Sequence, residues 1–130
     1  VFTFDDSSNR IRLYVNGSIV ASKTHNNSTV NQNSEFSIGR RHDTNGGYYH
    51  GKIDEVAYWD TELSANAISA LYNSGNSLSA STNSGNYSSS GNLIMYYQFQ
   101  ENLNDSEGSF DLTNYNNNIG SSDYVAETID

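Results

Sequence analysis

The sequence contains no cysteine, which excludes a disulfide framework, a thiolate zinc site and a cysteine nucleophile, and leaves the redox compartment open. Basic residues are scarce: 6 Lys and Arg stand against 15 Asp and Glu, giving a formal net charge of -9 and a pI near 4.5. Binding a nucleic-acid backbone needs a basic footprint that neutralises phosphates, so nucleic acid is set aside as a partner; anionic lipid would likewise repel the chain. No run approaches the about 18 apolar residues that a membrane span requires. Val1 to Phe4 show neither a basic n-region nor an apolar h-region, which puts any secretion signal outside the chain. No Gly-x-Ser-x-Gly elbow or phosphate loop occurs, and His25, His42 and His50 lack metal-motif spacing.

What is present suits a thin, loop-rich β protein. The 130 residues fit one domain with a modest core. Only 35% of residues are hydrophobic and the mean hydropathy is -0.68, yet 10 Tyr, 5 Phe and 1 Trp supply large apolar area. Such residues fill half-exposed positions in two-sheet packing. Asn, Ser and Gly occupy the intervals and tolerate turns. The excess of carboxylates reads either as a solvated acidic surface or as oxygen donors for a hard cation such as calcium.

Periodicity places the elements. Phe2 and Phe4 alternate with polar residues ahead of the turn formers Asp5-Asp6-Ser7-Ser8-Asn9. From Arg10 to Val15, Ile11, Leu13 and Val15 fall on one face and Arg10, Arg12 and Tyr14 on the other, the pattern of a half-buried strand. Asn16-Gly17 then predicts a type I′ hairpin, with Ser18 to Ser22 as the return strand. Residues 25–34 and 41–47 read as loops on either side of a short strand, 36–40, with Phe36 and Ile38 inward. Lys52 to Trp59 is a longer strand. The period then lengthens: Leu63, Ala67, Ile68 and Leu71 recur at helical spacing after the N-cap candidate Ser64. Asn73-Ser74-Gly75 supplies the stop. Residues 76–92, rich in Ser, Asn and Gly, read as a flexible linker or a long excursion. Leu93 to Gln100 predicts a strand apolar on both faces, 102–109 a polar turn region, and short strands surround Leu112 and Tyr124-Val125.

Several of these pieces resemble laminin-G-like, concanavalin-A-like jelly-roll modules. The resemblance runs through Phe2-Thr3-Phe4-Asp5, Ile11-Arg12-Leu13-Tyr14-Val15-Asn16-Gly17, Phe36-Ser37-Ile38-Gly39-Arg40, Gly51-Lys52-Ile53-Asp54-Glu55-Val56-Ala57-Tyr58-Trp59 and Leu63 to Gly75, in family order. Ala67 departs from it, because a Glu there would complete a capping box with Ser64. Residues 1–75 therefore look like the C-terminal part of such a module. Tyr96-Tyr97-Gln98-Phe99, Asn104-Asp105-Ser106-Glu107-Gly108 and Ser122-Asp123-Tyr124-Val125 resemble its opening strands. The resemblance implies an all-β, antiparallel two-sheet jelly-roll sandwich with one short helix near residues 64–73. It also implies that 93–130 belongs to the same, permuted module or to a following one. Such modules bring first and last strands together, which would set the Leu93 strand beside the Lys52 strand. The central strands are missing, and open edges and apolar faces predict self-association or strand exchange.

Function follows from the same resemblance. Glycoside hydrolases of this fold carry Glu-x-Asp-x-x-Glu on one strand; here Lys52 and Ala57 occupy the two Glu positions, so nucleophile and acid are both lacking and no enzyme is expected. Many such modules hold a structural calcium ion. Asp54 and Asp105 are the first candidate ligands, with Glu55, Asn104 and Asp123 behind them; the competing account of Asp54 is a brace to turn amides. Arg40, Arg41, Asn45, Tyr48 and Tyr49 form the candidate glycan surface, since tyrosine rings stack on sugar C–H groups and Arg and Asn donate to hydroxyls. Packing of Tyr48 and Tyr49 at the sandwich edge is the alternative, and Trp59 reads as core. Two functions stay open: a carbohydrate-binding or adhesion module, and an architectural subunit of a surface or virion assembly. Either places the protein outside cells or on a cell or virion surface, with a glycan or a surface protein as partner.

Overall fold

The computed structural model describes residues 1–24, 36–40 and 47–114. The expected loop 25–34, the sites Arg41, Asn45 and Asp123, and the strand at Tyr124-Val125 lie outside them. Among the described residues, five strands form two antiparallel sheets, accompanied by one α-helix. β1 (Phe2–Asp5), β2 (Arg10–Val15) and β3 (Ser18–Thr24) make a three-stranded meander in sequence order. Asn16 (φ 52°) and Gly17 (φ 73°) close the β2–β3 hairpin with both central residues left-handed, as a type I′ turn demands. Gly17 is needed twice over, because a Cβ there would stand 2.9 Å from the Tyr72 ring.

The buried face of this sheet is the reverse of the one periodicity suggests. Tyr14 is 5% exposed, whereas Leu13 is 44% and Val15 51% exposed. The reason lies in the helix. α1 (Ala65–Tyr72) lies against β3 on the Tyr14 side, and Tyr14, Leu63, Ala67, Ile68 and Tyr87 form one cluster with Trp59, Ala70 and Leu71 packed on it. A ring large enough to reach the helix wins over three smaller aliphatic side chains on the opposite face.

Ser64 caps α1, accepting a hydrogen bond from the Ala67 amide at 3.1 Å. Leu63 just before the cap and Ile68 in the first turn are both buried, so an apolar staple completes the start where the capping box is lacking. Asn73, left-handed at φ 42°, ends the helix and its amide donates to the Ser69 carbonyl. Glu62, just upstream, accepts from the hydroxyl of the buried Thr3 and pairs with Arg12, fastening the helix entry to β1 and β2.

β4 (Val56–Trp59) pairs antiparallel with β5 (Leu93–Tyr97), with Val56 opposite Tyr97 and Trp59 opposite Leu93. The juxtaposition expected of first and last strands is therefore present. β4 is shorter than the 52–59 run because Glu55, at φ 52°, breaks the extended backbone. Residues 36–40 do not form a strand; Arg40 makes a single bridge to Tyr48, and Phe36, expected inward, is 57% exposed. Around Leu112 there is no strand either, only a bond from its amide to the Leu103 carbonyl. Residues 76–92 form an excursion that returns to the core: Ala80 and Tyr87 are buried, and Ser84 and Tyr87 exchange backbone bonds across a tight turn.

Candidate functional site

The Arg40–Tyr48 bridge and a bond from the Tyr49 amide to the Gly39 carbonyl (2.8 Å) draw two segments into an open concavity of about 530 Å³. Gly39, Arg40, Gly47, Tyr48, Tyr49 and Ile53 line it. Gly39 (φ 76°) and Gly47 (φ 68°) supply the left-handed backbone that bends both segments around it. The Ser37 hydroxyl donates to the Arg40 carbonyl at 2.9 Å and braces the approach. Tyr49 is 60% exposed, and its ring lies against Gly51, where a Cβ would stand 2.7 Å from the ring and hydroxyl. The hydroxyl end of the ring is thus close against backbone while the residue stays open to solvent.

Three of the expected glycan-site residues, Arg40, Tyr48 and Tyr49, are brought together here. Tyr48, 43% exposed, and Tyr49 do not pack into the core. Ile53 and the glycines were not singled out by the sequence. Ile53 reads as a strand residue, and the glycine pattern Gly39, Gly47, Gly51 around paired tyrosines is the signal that could have revealed the cavity.

The candidate calcium ligands are arranged otherwise. Asp105 is buried, and its carboxylate accepts the amides of Tyr96 (2.9 Å), Glu107 (3.1 Å) and Phe110 (3.3 Å). Its own amide donates to Asp111 at 2.9 Å. Asp105 thus braces the turn after β5 through backbone amides. Tyr96 brings Asp105 and Glu55 to one residue, through its amide and its hydroxyl respectively. Asp54 and Asn104 are exposed. Among the described residues no group of three or more His, Cys, Asp or Glu is gathered to hold a metal ion.

Burial raises the Tyr97 phenol above its ordinary value, and the charges of Asp105 and Asp111 add to the shift. Its hydroxyl donates to the Phe110 carbonyl at 2.7 Å, and its ring stacks on Phe99 at 6.2 Å. Asp5 behaves in the opposite way. Hydrogen bonds from the hydroxyls of Ser7 and Ser8, with their amides, hold its carboxyl at about 2.

A mostly-β domain of two antiparallel sheets, with one capped helix on the first sheet and an open aromatic concavity, defines the class. The chain belongs to the concanavalin A-like lectin/glucanase superfamily: the laminin-G-like family model of that superfamily matches residues 1–69, just over half of the 130 residues. The match runs from β1 into α1 and includes the whole concavity. No curated protein and no solved structure matches the chain.

Proposed function

We propose that this protein is a non-catalytic carbohydrate-recognition module of the laminin-G-like type, working outside cells or on a cell or virion surface, with the Arg40–Tyr49 concavity as its sugar site. The observation that carries this reading is Tyr49, exposed yet backed by Gly51. A side chain braced at its hydroxyl end loses less conformational freedom when a pyranose stacks on its ring, and Tyr carries a hydroxyl for a sugar oxygen. Arg40 and Tyr48 in the same concavity add further donors.

Several features favour binding over hydrolysis. Lys52 and Ala57 stand where the fold's glycosidases place their two carboxylates. The concavity itself is lined by no carboxylate among the described residues. Closure of the two sheets into a full jelly roll belongs to the same proposal, as does the origin of 93–130 in a permuted or following module. Calcium is given no part in sugar binding.

A glycan array followed by calorimetric titration tests the reading. The expected result is a defined hit whose affinity falls at least tenfold in Tyr49→Ala with the fold intact. An array without a hit, or a hit indifferent to Tyr49→Ala, overturns it and leaves the architectural role.

A further inference from the structure

The described lining of the Arg40–Tyr49 concavity is of two kinds. Arg40, Tyr48 and Tyr49 bring polar groups to it, whereas Gly39, Gly47 and Ile53 bring no side-chain donor or acceptor. Ile53 is 36% exposed, and its Cδ1 lies 3.6 Å from where a Cβ on Gly39 would stand. Gly39 has no such atom, so the end of the Ile53 side chain forms the wall at that point. Its φ of 76° disfavours any larger residue there. The Gly39 carbonyl is already engaged by the Tyr49 amide.

We propose that the Ile53–Gly39 wall receives a methyl group, so that the ligand is a sugar bearing one: a 6-deoxyhexose or an N-acetylated hexosamine. This rests on the concavity being a sugar site and narrows the class of sugar it takes. A pyranose carries hydroxyls around most of its rim. A hydroxyl set against Ile53 and Gly39 gives up water for a surface without a side-chain hydrogen-bonding group, which disfavours binding. A methyl in the same place leaves water at a gain.

A single aliphatic side chain at a surface is ordinary. Ile53 is set apart by its place. It precedes β4 and is separated from it by Glu55, whose left-handed backbone turns the chain between them. It is not among the residues packed on the core cluster, and it shares the concavity with Tyr49 and Arg40. Recognition then divides between the two kinds of lining. Tyr49 stacks on the ring, Arg40 and the tyrosine hydroxyls supply donors to its oxygens, and Ile53 selects the substituent.

NMR titration of the intact chain with matched free sugars tests this. L-fucose is set against L-galactose and L-rhamnose against L-mannose, while N-acetylglucosamine and N-acetylgalactosamine are set against their N-formyl counterparts, so the two carriers of the methyl group are told apart. The expected result is that the methyl-bearing member of at least one pair binds about fivefold tighter or better, and that Ile53→Thr brings this ratio below about twofold. Tyr49→Ala weakens both members of the pair alike. Trp59 fluorescence reports that the fold is retained. If Ile53→Thr does not fold, Ile53→Val, which removes only the Cδ1 facing Gly39, is read in its place and lowers the ratio. Binding without preference in any pair, or a preference that survives substitution of Ile53, overturns the proposal and leaves the sugar site standing. If none of these sugars binds, the proposal is overturned, and the sugar site falls with it only when the glycan array is silent as well.

Discussion

The indole N–H of Trp59 donates to the Tyr87 hydroxyl at 2.9 Å, with the two rings edge to face at 6.3 Å. The same hydroxyl donates to the Ala80 carbonyl at 2.6 Å. One buried phenol thus joins β4 to the Ser-, Asn- and Gly-rich segment 76–92, which carries no other large apolar side chain at its centre. Burial raises its pKa above the ordinary tyrosine value.

Removing that hydroxyl leaves the Trp59 N–H and the Ala80 carbonyl without this partner. Tyr87→Phe is expected to cost about 1–3 kcal/mol of unfolding free energy, and Tyr87→Ala about 3–5 kcal/mol because the ring's volume is lost as well. Urea titration followed by Trp59 fluorescence measures both. A loss below about 0.5 kcal/mol for Tyr87→Ala would mean that the excursion is not coupled to the core.

Asp105 fixes the turn after β5 through three backbone amides. Asparagine presents a single acceptor oxygen, so Asp105→Asn strands at least one amide and is expected to cost about 1.5–3 kcal/mol. Hydrogen exchange at the Tyr96, Glu107 and Phe110 amides should rise together. Added calcium should not protect them if the brace is the whole role of this carboxylate.

Asp5 gives the acid limb of stability. Its folded-state value of about 2 lies below the ordinary 3.8, so the unfolded chain binds the proton more readily between these values. The contribution is present above pH about 4 and fades as pH falls toward 2. Asp5→Asn removes the titrating group and should flatten the decline in melting temperature over that window. An unchanged slope would show that the Ser7 and Ser8 bonds do not persist in solution.

The hairpin and the helix were legible because each rests on local chemistry, Asn16-Gly17 and the cap at Ser64, whereas the pairing of the Leu93 strand with the end of the Lys52 run was legible only through the family resemblance. The covered face of β2 was not. Alternation separates Ile11, Leu13 and Val15 from Tyr14 but does not say which set has a partner, and only the placement of α1 decides it. Tyr87 was hidden by its neighbours, since a single aromatic residue in a polar run gives no periodic signal. Tyr48 and Tyr49 of the proposed sugar site were visible as residues, but the contact of Tyr49 with Gly51 is a matter of local backbone geometry that composition does not encode.

That backing yields the sharpest separation of function from stability. Gly51 has no left-handed backbone requirement, so alanine fits its conformation; what the new Cβ meets at 2.7 Å is the exposed end of the Tyr49 side chain, which can swing away. Gly51→Ala should therefore change stability by no more than about 0.5 kcal/mol. The ring, once displaced, no longer offers a fixed face, and a sugar must then order it on binding at a cost of about 0.5–1.5 kcal/mol, a loss of roughly 3- to 12-fold in affinity. Titration with the glycan found for the native chain reads this directly. If Gly51→Ala binds as the native protein does while Tyr49→Ala does not, the ring matters but its support on Gly51 does not. If both lose affinity at unchanged melting temperature, the site works by holding Tyr49 still.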